Sequence, residues 1–548
     1  MLLTPGPGAG AGARPAAWGG RFAAPVTFAV FGLADILVFG LHAHGSATFS
    51  FTPEFAKVTV PNLVLPAAAT AYFCGAVSLV LAVVRLLAIR GRPPLRRAAL
   101  RVLVGAVLFL FVVALIAWSD AGQTIAFNVV NLLSGTLDDS IPIMLGALTG
   151  VICSTSGVIN IAIEGQLLLG AFTAAIATSV TGSLWLGLLC GALGGSLVAV
   201  LLAVFAIAYL VDQVVLGVVL NTLVIGLTGY LYNAIMVPYG NTLNNPVTFN
   251  PWKVPLLGDI PIIGPVFFDS TIFLYLTYAL LALVQIGLFR TRWGLRTRAV
   301  GEHPLAADTV GIRVIAMRYR NVILAGLIAG IGGAYFTIGS VGSFQIDMSS
   351  GEGYIALAAM IFGRYTPFGA IAAALLFGFT TELQSILASL NVPIESNLLL
   401  LTPYVVTIIV VAGLVGKVRG PRAEGVPFIK GLARSSRAGP AGRQPGCPAI
   451  RRSSGISASM SWPVRNATTV VPRPSAAGAG AGAAKMLTTR RSASSSSRTA
   501  SGLSPRSHRR RTWLWAATTA EAVSSARSRA GSEVSATHPA MNSRNSRW

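Results

Sequence analysis

Apolar runs close to bilayer-spanning length recur along this chain. They fall near residues 25–42, 63–84, 102–118, 138–153, 162–181, 184–210, 214–236, 272–289, 321–340, 354–363, 368–389 and 398–416. A helix of roughly 20 apolar residues matches the hydrocarbon thickness of a bilayer. A helix also satisfies its own backbone N–H and C=O groups where no water can. Only 11% of the 548 residues are charged, against about 25% in soluble domains, so the bulk of the chain is not built for water. The runs predict an all-α polytopic membrane protein with about 10–12 membrane segments, two of them short or broken, followed by a disordered C-terminal tail.

The loops orient these spans. "RLLAIRGRPPLRRAALR" (85–101) and the segment from Arg290 to Arg320 are both rich in arginine, and short positive loops stay in the cytoplasm. Alternating in and out from either loop gives the same side for the other. It also places "GKVRG" (416–420) inside and the Pro-containing segment 237–271 outside. Runs 138–153 and 354–363 are expected to be too short for a comfortable crossing. The second ends in "GRYTP", where Arg364 and Pro367 stop a simple apolar helix. Short or interrupted segments of this kind either line a polar cavity or form a hairpin buried against protein.

The net charge of +23 would suit nucleic acid, but its distribution points elsewhere. Residues 433–548 hold 19 Lys plus Arg against Glu521 and Glu533, a net +17, so residues 1–432 carry only +6. The tail is rich in Ser, Arg, Ala and Gly and has no sustained apolar period, so it cannot bury enough surface to fold. It is expected to be out-of-frame or read-through sequence, or else a basic tail drawn to anionic lipid. No nucleic-acid partner is expected. The cysteines Cys74, Cys153, Cys190 and Cys447 show no metal or disulfide spacing.

Polar side chains set into the apolar runs are the candidates for function. "STSGVINIAIEGQLLLGAF" (154–172) carries Asn160, Glu164 and Gln166. Asn160 and Glu164 are four apart and would share one face of a helix. A carboxylate inside a membrane segment is costly and normally faces the bundle interior or water. Three readings stand for Glu164: it lines a route for a polar solute, joins a structural hydrogen-bond network, or lies at the cytoplasmic headgroups. Asn221, Gln345 and Glu352 are further candidates for a solute path, with Tyr230, Tyr232, Phe344 and Tyr354 able to stack on a ring. Amides inside helix pairs also serve as structural glue. "AGLIAGIGGAYF" (325–336) reads as close helix packing.

"SGVINIAIEGQLLLGAF" resembles the signature of the membrane permeases of bacterial ABC importers for simple sugars and nucleosides, within the ribose and branched-chain amino-acid permease superfamily. The resemblance continues through "DQVVLGVVLNTLVIGLTGYL" (212–231), "GLRTRAVGEHPLAADTVGIRV" (294–314), "GEGYIALAAMIFGRYTPFGAIAAALLFGF" (351–379) and "VRGPRAEGVPFIKG" (418–431). Ser154-Thr155 departs from the Glu-Arg pair usual at that place. The resemblance implies a leader at 1–24, an extension with three spans at 25–120, a permease core at 121–432 and the basic tail at 433–548. It implies a multi-pass protein of the bacterial plasma membrane with a cytoplasmic C-terminus. It further implies a second homologous permease subunit, a cytoplasmic ATPase and an extracytoplasmic substrate-binding lipoprotein as partners, besides membrane lipid.

In that family the loop 290–320 resembles the coupling helix that docks on the ATPase. Arg298, Ala299, Gly301, Glu302, Pro304, Ala306, Ala307 and Gly311 match its motif, and Pro304 suits a first helical turn. Read without the resemblance, the same residues make a basic loop that holds topology. The chain contains no G-x-x-x-x-G-K-[ST] phosphate loop; "GLVGKVRG" (413–420) has Val418 where Ser or Thr is needed. ATP is therefore expected to be used by a partner, with no cofactor bound here, no metal cluster and no catalytic constellation. The rival reading is a secondary carrier or channel driven by an ion gradient, with Glu164 as its ion site; a third is a membrane scaffold.

Overall fold

The computed structural model describes residues 18–52, 60–91, 97–123, 126–390, 401 and 419–430. The expected run 398–416, apart from Leu401, and the tail 433–548 lie outside them. Among the described residues nine helices are long and apolar enough to cross a membrane, and two apolar helices are shorter, Ala24–Gly40 and Glu352–Phe362.

The N-terminal extension comprises α1 (Trp18–Ala34), which runs on as a π turn to Gly40, α2 (Ala67–Gly91) and α3 (Arg97–Ser119). A small sheet ties these helices to the rest of the bundle. Its strands β1 (Ser46–Ser50), β2 (Leu63–Pro66) and β3 (Phe127–Asn128) lie in the order β2-β1-β3. β1 runs antiparallel to β2, with Ser46 opposite Pro66, and parallel to β3, with Phe49 opposite Phe127. Phe49, Ile116 and Phe127 bury themselves against Leu132, Leu383 and Leu387. The extension is thus packed onto the later helices by apolar burial.

The run expected to be too short, 138–153, is the second half of a 27-residue helix, α4 (Val129–Thr155), and that expectation is corrected. Asn128 starts the helix early: its Oδ1 accepts from the N–H groups of Val130 at 2.9 Å and Asn131 at 3.2 Å. Asp138 and Asp139 lower the local hydropathy without breaking the helix. Asp138 accepts from the Ser270 hydroxyl at 2.8 Å, and Asp139 is in hydrogen-bond contact with Glu382. Tertiary partners absorb the polar groups that interrupt the apolar run.

After α4 come α5 (Ile163–Thr181), α6 (Leu184–Ala203), α7 (Gln213–Leu231) and α8 (Ile272–Arg290). α7 is capped by Asp212, whose Oδ1 accepts from the Val214 and Val215 amides. On the face that carries the basic loop lie α9 (Arg292–Glu302) and α10 (Pro304–Thr309). α11 (Val314–Ala334) comes next, then α12 (Glu352–Phe362) and α13 (Pro367–Ser389). α12 has only 11 residues. As expected, "GRYTP" ends it: Arg364 and Tyr365 take left-handed backbone angles and Thr366 caps α13.

α4, α5 and α11 form the buried centre, while α2, α3 and α8 turn apolar faces outward. α6 and α11 pack backbone to backbone. A Cβ on Gly195 would stand 2.5 Å from the Gly330 Cα, so only hydrogen fits there.

Candidate functional site

Two helix breaks meet inside this bundle. The first is the loop 156–162 between α4 and α5, opened by Gly157 at φ +84°. The second is the segment 342–351 before α12, where Gly342, Asp347, Ser350 and Gly351 all have positive φ. Backbone freed from helices in an apolar setting needs partners, and polar side chains supply them. The Ile159 N–H donates to Gln213 Oε1 at 2.7 Å. Asn221 donates to the Ile161 carbonyl at 2.9 Å and accepts from the Gly165 N–H at 2.9 Å. Its amide also donates to the Tyr354 hydroxyl at 2.9 Å. Asn160 donates to Gln166 Oε1 at 3.1 Å.

Glu164 joins the two breaks. Its Oε1 accepts from the Ser349 hydroxyl at 2.6 Å and the Gly351 N–H at 2.9 Å, and its Oε2 accepts from the Gly353 N–H at 2.7 Å. The side chain is 1% exposed. The carboxylate therefore caps the first turn of α12, where orphan amides and the helix dipole favour it. The approach needs glycine: a Cβ at Gly353 would lie 2.5 Å from the Glu164 nitrogen.

The expected common helical face of Asn160 and Glu164 is corrected: α5 begins only at Ile163, so Asn160 sits in the unwound loop. Gln166 is buried beside it, Asn221 bridges the first break and α12, and Gln345 is exposed. Glu352 opens α12 and its Oε2 has no hydrogen-bond partner among the described residues. Tyr354 is 44% exposed, and Gly229 of α7 lies next to Ile346. Asn221 and Tyr354 thus join α7 to α12 along an edge where α7 meets the second break, which carries Gln345.

The coupling-loop residues divide by burial. Gly301 and Ala307 are buried, and Gly301 presses on the Thr155 carbonyl. Glu302, Ala306 and Gly311 are exposed, with Leu305 and Val310 as exposed apolar neighbours. Arg298, Ala299 and Pro304 are half-buried, and the Arg298 guanidinium lies 5.0 Å from the Phe289 ring centre. Below this loop, burial raises the Glu424 carboxyl above the ordinary carboxylate range, against the opposing hydroxyls of Ser154 and Tyr365.

Sequence reasoning missed Ser349, the Gly351 and Gly353 amides, and Arg318. One available signal was the repeated Glu-Gly pair, at 164–165 and again at 352–353, each at the start of an apolar helix. Among the described residues no group of His, Cys, Asp and Glu is arranged to hold a metal ion.

These features define a multi-pass α-helical membrane protein organised around two helix breaks joined at a buried carboxylate. Residues 131–412 match the family model described as branched-chain amino acid transport system / permease component, and the chain belongs to that family. It is 40% identical over 319 residues to the guanosine ABC transporter permease protein NupQ of Bacillus subtilis (strain 168), covering 56% of this chain and 99% of that one. It is 39% identical over 318 residues to the nucleoside ABC transporter permease protein NupC of Lactococcus lactis subsp. cremoris (strain MG1363), covering 55% and 99%. It is 33% identical over 271 residues to a putative glucose ABC transporter permease, TsgC13, of Haloferax volcanii, covering 49% and 80%. No solved structure matches significantly.

Proposed function

We propose that this chain is the transmembrane permease subunit of an ATP-driven importer, and that it forms part of the path for a nucleoside or a simple sugar. The meeting of two broken helices at Glu164 carries this reading. It is supported by likeness along 99% of a guanosine permease. The pair of breaks gives a passive conduit two segments that can shift without unfolding a whole helix. Asn221, Gln345, Glu352 and Tyr354 are the proposed path residues on the edge where α7, the second break and the first turn of α12 come together, with amides and a carboxylate for hydroxyls and a tyrosine for a ring. Asn160, Glu164 and Gln166 hold that edge from behind.

The protein works in the bacterial plasma membrane with the basic loop on the cytoplasmic side. Its partners are a second permease subunit, an ATPase seated on the exposed residues of α9 and α10, and a lipoprotein that delivers the solute. ATP binds and is hydrolysed on the ATPase alone, and this chain catalyses no reaction. The test is uptake of labelled nucleosides and sugars by vesicles holding the complete complex. Import that requires ATP and the ATPase is expected; accumulation by the purified chain alone would overturn the reading.

A second reading has one observation in its favour. Asp138, Asp139 and Glu382 cluster within the bundle near Glu352, as they would in an ion-driven carrier. Uptake that survives ATPase inactivation but collapses with the proton gradient would support it.

A further inference from the structure

Residues 419–430 return to the face that carries α9 and α10 and make contacts with several separate elements. The Ala423 N–H donates to the Gly301 carbonyl at 2.9 Å, near the end of α9. The Arg318 guanidinium in the first turns of α11 is 2% exposed, and its Nη1 donates to the Val426 carbonyl at 3.0 Å. A charged donor makes this bond stronger than a neutral one. The Glu424 carboxyl lies in hydrogen-bond contact with Ser154 in the last turn of α4 and Tyr365 between α12 and α13. Gly425, at φ +74°, sits beside Ile159 of the first break. Phe428 is buried with Val300, Ala307 and Val314.

One short segment therefore holds the coupling loop, the first helix break, the turn between α12 and α13, and α11 at once. Gly301 reinforces the arrangement, since it also presses on Thr155 at the mouth of the first break. Glu164 joins the first break to the second, and Glu424 joins the last turn of α4, at the entry to the first break, to the turn between α12 and α13. We propose that residues 419–430 are the link that carries movement of α9 and α10 into the first break and the turn that ends α12, with Glu424 as its positioning residue. A push on Gly301 displaces Ala423, and Glu424 then moves Ser154 and Tyr365 together. Coupling through a packed, hydrogen-bonded element of this kind needs no direct contact between the motor and the path. The link rests on the reading that a partner ATPase acts on α9 and α10.

The test uses the whole complex of both permease subunits, ATPase and binding protein. Glu424→Ala is expected to keep the ATPase co-purifying and its basal hydrolysis intact while uptake falls about tenfold. Glu424→Gln keeps an acceptor for both hydroxyls and is expected to stay within about twofold of wild type. Uptake by Glu424→Ala at the wild-type rate would overturn the proposal. So would loss of the ATPase from that variant, because the segment would then belong to the docking surface. Should Glu424→Ala fail to accumulate, the double variant Ser154→Ala with Tyr365→Phe decides. It is expected to lose uptake with the ATPase still bound, and unchanged uptake would refute the link. A wild-type complex that neither holds an ATPase nor imports would instead refute the function proposed above.

Discussion

Glu164 and Gly353 lie 189 positions apart in sequence, yet the Gly353 amide donates to the Glu164 carboxylate at 2.7 Å. The first turns of α5 and α12 are joined there by an acceptor on one helix and orphan amides on the other. Neither helix end could sit in an apolar bundle alone, because its polar groups would go unsatisfied. The joint is a folding requirement as well as a candidate working part.

Removing the carboxylate tests this. Glu164→Ala strands the Ser349, Gly351 and Gly353 donors, each worth about 1–3 kcal/mol when buried unsatisfied. The variant is expected to lose stability on the order of 3 kcal/mol or more, read by denaturation in detergent, and to lose uptake with it. Glu164→Gln should fall between, because its NH₂ turns one acceptor into a donor facing another donor. Wild-type stability in Glu164→Ala would show that the cap does not form.

Steric room separates two glycines. Gly353→Ala places a Cβ 2.5 Å from the Glu164 nitrogen and 2.6 Å from its Cα. Overpacking against backbone costs about 1–3 kcal/mol, so reduced stability and poor accumulation are expected. Gly226 on α7 has no atom within 4 Å of its added Cβ, so Gly226→Ala should be neutral or slightly stabilising. Equal behaviour of the two variants in a thermal scan would contradict the close approach.

The motif residues of the coupling loop should separate into two phenotypes. Glu302 is exposed, and Glu302→Arg is expected to leave the fold intact while abolishing ATPase co-purification. Gly301 faces the Thr155 carbonyl of its own chain, so Gly301→Val should damage the permease itself. Pull-down yield measured beside permease thermal stability distinguishes them. A stable Gly301→Val protein that merely releases the ATPase would move Gly301 to the docking surface.

Glu424 predicts a pH dependence. Burial raises its carboxyl above the ordinary value, so the folded protein holds this proton more tightly than the unfolded chain does. The associated stability is complete below the ordinary carboxylate range and is lost as pH climbs through the raised value. Wild-type stability minus that of Glu424→Gln should therefore decline with rising pH across that window. A difference that grows with pH would reverse the sign and refute the buried setting.

The spans were legible because a bilayer imposes a length on apolar runs, and Pro367 with Arg364 marked the end of α12. The full extent of α4 was not. Asp138, Asp139 and Ser140 depress the hydropathy there, and the hydrogen-bond partners of the two acids, Ser270 and Glu382, come from far along the chain. The face assigned to Asn160 and Glu164 failed for a related reason. Spacing of four implies a shared face only inside a helix, and Gln213 and Asn221 stabilise an unwound backbone at 156–162 instead. Gly301 looked like a docking residue among small neighbours. Its burial against Thr155 depends on α4 and α9 being adjacent, which no local pattern records.

By itself the sequence determined that this protein lies in a membrane, about where it crosses, and which loops are basic. Those properties follow from the solvent each segment must meet, and composition records them residue by residue. Only the tertiary structure decided what the buried polar groups do. A carboxylate, an amide or a guanidinium in an apolar bundle takes its meaning from the partner that satisfies it, and those partners arrive from distant helices when the chain packs.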